Sequence, residues 1–582
     1  MSTQIEKTIL DKANIWLNGN YDEETKNAVR DLIENKPDEL TESFYRDLEF
    51  GTGGLRGIMG VGSNRMNKYT VGSATQGFCN YLKINFPELE QIKVAIGFDS
   101  RNNSKYFAHI AADVFSANGI KVFLFENLKP TPELSFAIRE FKCQGGIVLT
   151  ASHNPKEYNG YKAYWDDGGQ IINPHDKNVI NEVNKIQNID DVNFKGNKDL
   201  IEIVSDDFDN VYIGRIKSLS LSPKIIKEQH DFKIVYTPIH GTGVKIVPQA
   251  LREFGFTNVH IVKEQAEEFG NGDFPTVKSP NPEENAALAL AIKQAKDIDA
   301  ELVMATDPDA DRVGIAVRDG DDFVLLNGNQ AATLLINYLL SKWQENGKLT
   351  GKEFIVKTIV TSELLVDIAA KFSVKHYDVL TGFKYIADIV KRLEGKETFI
   401  GGGEESYGYL VGDYFVRDKD AVISCAMIAE AAAWAKHKGI EMLDLLKEIY
   451  AEHGFYKEKL VSVVRKGKSG AEEIQKIMSD FRSNPPRLMG GSRIVCIKDY
   501  QTGESLDTIT NISTPIDLPK SNVLQFFTED GSKVSVRPSG TEPKIKFYFG
   551  LKGKLDDISD YAKVNDELQE KIDAIVGELG LL

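Results

Sequence analysis

Cysteine is scarce in this chain: four residues in 582, at positions 79, 143, 425 and 496, with no Cys-x-x-Cys pair. That excludes a disulfide framework and offers no zinc spacing, so Cys79, Cys143, Cys425 and Cys496 are expected as buried apolar fillers. No apolar run is long enough to span a bilayer. The opening MSTQIEKTILDKANIW spreads charge through its length and lacks the apolar core and small-residue cleavage site of a secretory signal. The expectation is a cytoplasmic protein without a membrane partner. Low-complexity tracts are missing too, and 42% hydrophobic with 27% charged residues is ordinary for a folded chain. Positive charge is in deficit: the net charge of −16 repels nucleic acid and anionic membrane alike. It also repels a small phosphorylated substrate, so a protein of this charge that handles phosphate must gather cations into a cleft.

Several nucleotide and hydrolase signatures are lacking as well. There is no GxxxxGK[ST], and the glycine-rich LEFGTGGLRGIMG (48–60) misses the GxGxxG spacing and follows no clear strand, so neither a P-loop nor a Rossmann loop is indicated.

What is present is a pattern repeated three times in a chain long enough for several domains. The short apolar stretch IKVAIGF (92–98) reads as a buried strand, KYFAHIAADVFSANG as a helix closing on glycine, KVFLF as a strand, TPELSFAIREF as a helix and GGIVL as a third strand. The order returns as FKIVY, VKIVPQALREFG, NVHIV, NPEENAALALAIKQAK and ELVMAT, and again as EFIVKTIV, SELLVDIAAKF, KHYDV, GFKYIADIVKRLE and TFIG. Such alternation argues for α/β domains with parallel or mixed sheets. After its third strand each round delivers a polar loop: TASHNP (150–155), DPDADR (307–312) and GGGEESYG (401–408). Ligands of open α/β sheets gather at the carboxyl ends of strands, so three such loops could face one cleft. From about Tyr456 the pattern changes to antiparallel hairpins with two helices, a small α+β domain that carries RPSGTEP (537–543). The domains expected are 1–205, 206–322, 323–453 and 454–582, with NFKGNKD (193–199) as a first linker.

In DPDADR, Asp307, Asp309 and Asp311 alternate, and on extended backbone alternate side chains point the same way. Three converging carboxylates call for a hard cation, Mg²⁺ or Ca²⁺. An EF-hand is excluded because Arg312 and Arg318 stand at its sixth and twelfth positions; a solvated acidic turn is the plain alternative. In TASHNP, Ser152 and His153 on extended backbone would face opposite sides, and no GxSxG elbow surrounds the serine, so an acyl-transfer couple is weak. A strand-end turn closed by Pro155 is one alternative, and a serine that carries phosphate is the other. RPSGTEP sets Arg537, Ser539, Gly540 and Thr541 in an arrangement that suits an anion cradle, or an ordinary turn. Glu404, Glu405 and Ser406 suit sugar hydroxyls, or a solvated acidic turn.

Taken together and in this order, the four loops resemble those of the α-D-phosphohexomutase superfamily along nearly the whole chain. EFGTGGLRG, FPTVKSPNPE and GYLVGDYFVRDKDA are most similar to its longer branch, which holds α-phosphoglucomutases and phosphopentomutases. One departure is GGGEES, where the longer bacterial members carry GFEES. The resemblance implies an isomerase with four domains arranged around one cleft. It further implies that Ser152 is a phosphoryl carrier, that Asp307, Asp309 and Asp311 with Ser152 hold one Mg²⁺, and that Lys162 is the acid/base with Arg56 and Arg312 beside the transferring group. His153 would support the serine loop. Thr381, Gly382, Glu404, Ser406 and Lys419 would contact the sugar, and Arg537, Ser539, Gly540 and Thr541 the phosphate distant from the serine. The implied reaction interconverts glucose 1-phosphate and glucose 6-phosphate through glucose 1,6-bisphosphate, in a monomer or homodimer. Mannose or pentose phosphates, a metal-dependent sugar phosphatase and a silent sugar-phosphate sensor are the rivals.

Overall fold

A computed structural model describes residues 6–51, 53–465, 467–539 and 544–581, with the side chains of 467–469 left aside. The chain forms two compact units, one of residues 1–326, 387–395 and 407–434, the other of 327–386, 396–406 and 435–582.

In the first unit the sheet of the first repeat has Lys93–Phe98 at its centre, flanked in parallel by Lys121–Phe125 and Gly145–Leu149. These strands are apolar on both faces because helices Ser104–Ala117 and Thr131–Glu140 pack against them. Ile96, Ile147 and Leu149 are fully buried, each stabilising the fold by about 1.5–3 kcal/mol. Helices Lys7–Asn18, Glu23–Asn35 and Pro37–Phe44 add Trp16, Val29 and Leu40 to the same core. The second sheet repeats the plan, with Ile234–Thr237 parallel to Val259–Ile261 and Leu302–Thr306. In the second unit Glu353–Thr358 is parallel to Lys375–Val379 and Thr398–Gly403. The C-terminal sheet of that unit is antiparallel, running through Phe455–Val464, Lys544–Gly553, Lys533–Pro538, Leu524–Thr528 and Ser492–Asp499.

One device recurs that the strand–helix periodicity does not announce. After the serine loop the chain turns back as Tyr158–Trp165, antiparallel to Gly145–Leu149 with Leu149 opposite Tyr161. After the aspartate loop it turns back as Val313–Asp319, with Val313 opposite Thr306. Each of these loops is thus pinned at both ends by sheet hydrogen bonds.

Two expectations need correction, and one strand was not anticipated. GLRGI, inside the glycine-rich segment, is itself a strand, Gly54–Ile58, paired antiparallel with Tyr158–Trp165. Its glycine is needed there, since a Cβ on Gly54 would lie 1.7 Å from the Tyr161 carbonyl oxygen. NFKGNKD is not a linker between domains: Phe194 packs on the first core, and Ile201–Val204 beyond it still pairs with Lys121–Phe125. Cys79, Cys143 and Cys425 are buried, but Cys496 is half-buried, with its sulfur 3.4 Å from the Ser505 hydroxyl. All four are free thiols. Among the described residues no helix is long and apolar enough to cross a membrane.

Candidate active site

The strand Gly145–Leu149 ends in a bend rather than continuing extended. Thr150 Oγ1 accepts the Ser152 N–H at 2.8 Å, and Ser152 takes a left-handed φ of 54°. That conformation overturns the extended-backbone expectation for this pair: Ser152 Oγ and His153 Nδ1 lie 3.2 Å apart. Burial first, then Arg312 and Arg56, push the His153 imidazole well below its usual range, so it is neutral at neutral pH. Beneath the loop lies Arg101, a residue that the sequence motifs do not single out. Its guanidinium donates to the carbonyls of Ser152 (2.6 Å), Pro155 (2.9 Å), Tyr158 (3.1 Å) and Asn154. The Arg101 side chain is wholly buried beside Asp99, 3.4 Å away. A charged Asp-x-Arg directly after a buried strand is the signal that could have found it.

The aspartate loop is also a turn. Ala310 has φ 47°, and Asp307 folds the loop around its own carboxylate, with Oδ1 accepting the N–H groups of Asp311 (3.2 Å) and Arg312 (3.1 Å). The three carboxylates do converge, through this turn rather than through strand alternation; ligand oxygens of Asp307, Asp309 and Asp311 lie within 4.8 Å of one another. All three side chains are buried. Ser152 Oγ donates to Asp307 Oδ2 at 2.8 Å, which brings the serine to the triad. Lys162, on the returning strand, donates from Nζ to Asp309 Oδ2 (2.7 Å) and Asp311 Oδ2 (3.0 Å), and Lys419 Nζ stands 3.3 Å from Asp311 Oδ2. Thr131 holds Asp309 twice, by N–H to its carbonyl (2.9 Å) and by hydroxyl to Oδ2 (3.0 Å). Arg312 pairs with Glu283 at 3.1 Å, and exposed Arg56 donates to the Asn154 side chain at 3.2 Å.

These contacts divide the triad electrically. Burial, then repulsion from Asp309 and Asp311, raises Asp307 well above the carboxylate range. Burial works to raise Asp309 also, but Lys162, the Asp307 hydrogen bond and Lys419 together outweigh it and hold that group low. Asp311 is likewise held low: burial and Asp309 oppose ionisation, and Lys162, Lys419 and Arg312 prevail. The Oδ1 atoms of Asp309 and Asp311 are buried without a hydrogen-bond partner. Two orphaned anionic oxygens beside a third carboxylate are the donor set a hard divalent cation takes, so the residues fit one.

The other expected contacts belong to the second unit. Gly382 N–H donates to Glu404 Oε1 at 2.8 Å, at a φ of 121° that favours glycine. Thr381 and Ser406 are half-buried beside these two in the chain. Arg537 is on the strand Lys533–Pro538, and the Ser539 N–H donates to the Lys544 carbonyl at 2.8 Å. Burial, then Glu405, raises the Tyr548 hydroxyl, while Arg537 opposes the shift, which places both groups around that ring. Gly540 and Thr541 lie outside the described residues. The expected residues thus form two clusters. Ser152, His153, Lys162, Arg56, Asp307, Asp309, Asp311, Arg312 and Lys419 are in one unit, and Thr381, Gly382, Glu404, Ser406, Arg537 and Ser539 in the other.

Residues 47–190, 210–320 and 327–453 match α/β/α domains I, II and III of the phosphoglucomutase/phosphomannomutase family, and residues 460–568 match its C-terminal domain. The chain belongs to this family. It is an enzyme of the α-D-phosphohexomutase superfamily, an isomerase that transfers phosphate within its substrate. A phosphoglucomutase of Staphylococcus haemolyticus is 39% identical over 514 residues, 88% of this chain and 91% of that protein. One of Staphylococcus saprophyticus is 36% identical over 93% of this chain and 97% of its own length. The fold is shared with the open form of parafusin, a phosphoglucomutase from Paramecium, at a TM-score of 0.68 and 19% identity over 92% of this chain and 95% of that one.

Proposed function

We propose that the protein is a phosphoglucomutase that interconverts glucose 1-phosphate and glucose 6-phosphate by way of a phosphorylated Ser152. The observation that carries this reading is the serine hydroxyl 2.8 Å from a buried three-aspartate cluster. Phosphoserine brings about −1.5 to −2 of charge at neutral pH, which this cluster tolerates only with cations nearby. Mg²⁺ held by Asp307, Asp309, Asp311 and Ser152 would supply charge neutralisation and Lewis acidity when bound. Around it the chain's own residues position the groups. Lys162, raised above its usual range because Asp309 and Asp311 outweigh its burial, stays an ammonium and is a donor for an oxygen of the transferring group. The neutral His153 ring, its Nδ1 3.2 Å from Ser152 Oγ, orients the serine hydroxyl, whose proton is donated to Asp307 Oδ2 when the phosphoryl group is away.

In the proposed reaction a free sugar hydroxyl attacks phosphoserine, the new P–O bond forms as the serine P–O bond breaks, the hydroxyl's proton is passed to the departing serine oxygen, and glucose 1,6-bisphosphate results. The bisphosphate turns over and returns its other phosphate to Ser152. Turning needs contacts that accept either orientation: Glu404, Ser406, Thr381, Gly382 and Lys419 take ring hydroxyls and linking oxygens, and Arg537 and Ser539 with Gly540 and Thr541 take the distant phosphate. Arg56 and Arg312 balance the phosphoryl charge. Free thiols at all four cysteines suit a reducing cytoplasm.

A coupled assay with glucose 1-phosphate, Mg²⁺ and a trace of glucose 1,6-bisphosphate tests the proposal, and an absence of turnover would overturn it. Relative kcat/KM on glucose, mannose and ribose phosphates assigns the sugar. Stoichiometric release of inorganic phosphate would replace a mutase by a phosphatase.

A further inference from the structure

Within the second unit, one short segment is tied both to the sugar loop and to the strand that carries Arg537. Lys533, Ser535 and Arg537 alternate along the strand Lys533–Pro538 and therefore share one face. Lys533, with only 4% of its side chain exposed, donates from Nζ to the carbonyls of Ile359 (2.8 Å) and Thr361 (2.9 Å) and to Glu363 Oε1 (2.5 Å). Those three acceptors use all three ammonium protons. Beside it, Gln525 Nε2 links the Ser535 hydroxyl (2.8 Å) to the same Ile359 carbonyl (2.7 Å). The sugar loop reaches the segment from its other side: Glu405 Oε2 accepts the hydroxyls of Thr358 (3.1 Å) and Thr361 (3.3 Å). Ile359 and Val360 pack with Tyr548, the cross-strand partner of Ser535. Residues 358–363 are therefore a common footing for Glu404–Ser406 and for the strand that ends in Arg537.

We propose that Lys533, through its buried pair with Glu363, is a positioning residue that fixes the spacing between the sugar loop and Arg537, and so sets affinity for sugar phosphates. The inference rests on the reading of Arg537 as the grip on the distant phosphate. Because that grip serves whichever phosphate is remote from Ser152, a loosened spacing weakens both substrates alike.

Lys533→Met keeps the stem and removes the ammonium, while Glu363 retains Lys357 at 3.0 Å, so no buried charge is left alone. The expected result is a rise in KM of about tenfold, by the same factor for glucose 1-phosphate and glucose 6-phosphate, with kcat changed by less than about twofold. Glu363→Gln should give a smaller rise of the same shape. Asp378→Asn removes the other partner of Lys357, 3.0 Å away, without touching Lys533, and should lower the melting temperature while leaving KM unchanged. An unchanged KM in Lys533→Met, or a rise for only one of the two substrates, overturns the proposal. Should the unmodified protein turn over neither substrate, the mutase reading fails by itself. The positioning role is then read from glucose 1-phosphate binding to a Ser152→Ala background, where Lys533→Met should weaken affinity about tenfold and an unchanged affinity would refute it.

Discussion

Replacing Lys162 by methionine tests the electrostatic balance on which the serine cluster depends. The side chain keeps its length and loses one charge. In the native protein that charge lies 2.7 Å from Asp309 Oδ2 and 3.0 Å from Asp311 Oδ2. At an effective dielectric near 20 those separations correspond to about 6 and about 5.5 kcal/mol of gross attraction. Most of this is offset by the cost of burying the ions, and removing one partner of a buried pair nets about 3–5 kcal/mol of lost stability. Asp311 keeps Lys419 at 3.3 Å, whereas Asp309 loses its direct ion pair and keeps only the weaker attraction of Lys419, so its carboxyl should move upward from its depressed value. In EDTA, urea unfolding of Lys162→Met should therefore show about 3–5 kcal/mol less stability than the unmodified protein, with the deficit shrinking as acid protonates Asp309. Mg²⁺ should narrow it as well. The orphaned Oδ1 atoms of Asp309 and Asp311 are still available, the site is more negative, and an ion at a hundred times its Kd contributes about 2.7 kcal/mol. Mutase activity should fall by about 10²–10⁴ even with Mg²⁺ present, because the ammonium proposed as a donor to the transferring group is gone. A variant within about 1 kcal/mol of the parent in EDTA, or stabilised by Mg²⁺ no more than the parent is, would refute the assignment of Lys162 as the cation of this cluster.

Three further outcomes follow from the same contacts. Ser152→Ala should abolish turnover and the phosphate adduct in intact-mass spectra while costing only about 1 kcal/mol, the value of its hydrogen bond to Asp307. Arg101→Met strands four loop carbonyls and buried Asp99, so denaturant titration should show a loss of about 3–5 kcal/mol together with lost activity. Asp420, buried between the Tyr212 and Tyr414 hydroxyls, is pushed up to about 6 by burial. Its native form binds a proton that the unfolded chain has released, so its contribution to stability falls as pH rises from about 4 to about 6, by up to about 3 kcal/mol; the pH slope measured against Asp420→Asn should isolate it.

The repeat of strand and helix was legible because each change of period coincides with a change of hydrophobic pattern, as at IKVAIGF and KYFAHIAADVFSANG. The returning strands were not. Tyr158–Trp165 follows the serine loop so closely that its pairing depends on the bend at Ser152, and Gly54–Ile58 holds two glycines that strand preference penalises. What licenses Gly54 is the Tyr161 backbone, a partner about a hundred residues away in the chain, while Gly57 lies against the Leu48 side chain. Arg101 was hidden for the same reason: in DSRNNS it looks like a solvated turn residue, and its role exists only once the carbonyls of residues 152–158 are folded over it.

The aspartate loop shows how a site can be read correctly from a mistaken local geometry. Alternating carboxylates suggested convergence through an extended strand, whereas Asp307 instead accepts its own downstream N–H groups and bends the chain at Ala310. Both geometries bring the acids together, but only the bend leaves Asp307 Oδ2 for the serine hydroxyl while Lys162 takes the Oδ2 atoms of Asp309 and Asp311. One acid is thereby raised and two are held ionised within a few ångströms. A chain with a net charge of −16 can handle phosphate here because each added negative charge meets a cation already fixed by its own strand or loop: Lys162 on the returning strand, Lys419 before the helix Ala421–His437, and Arg312 at the end of the aspartate turn.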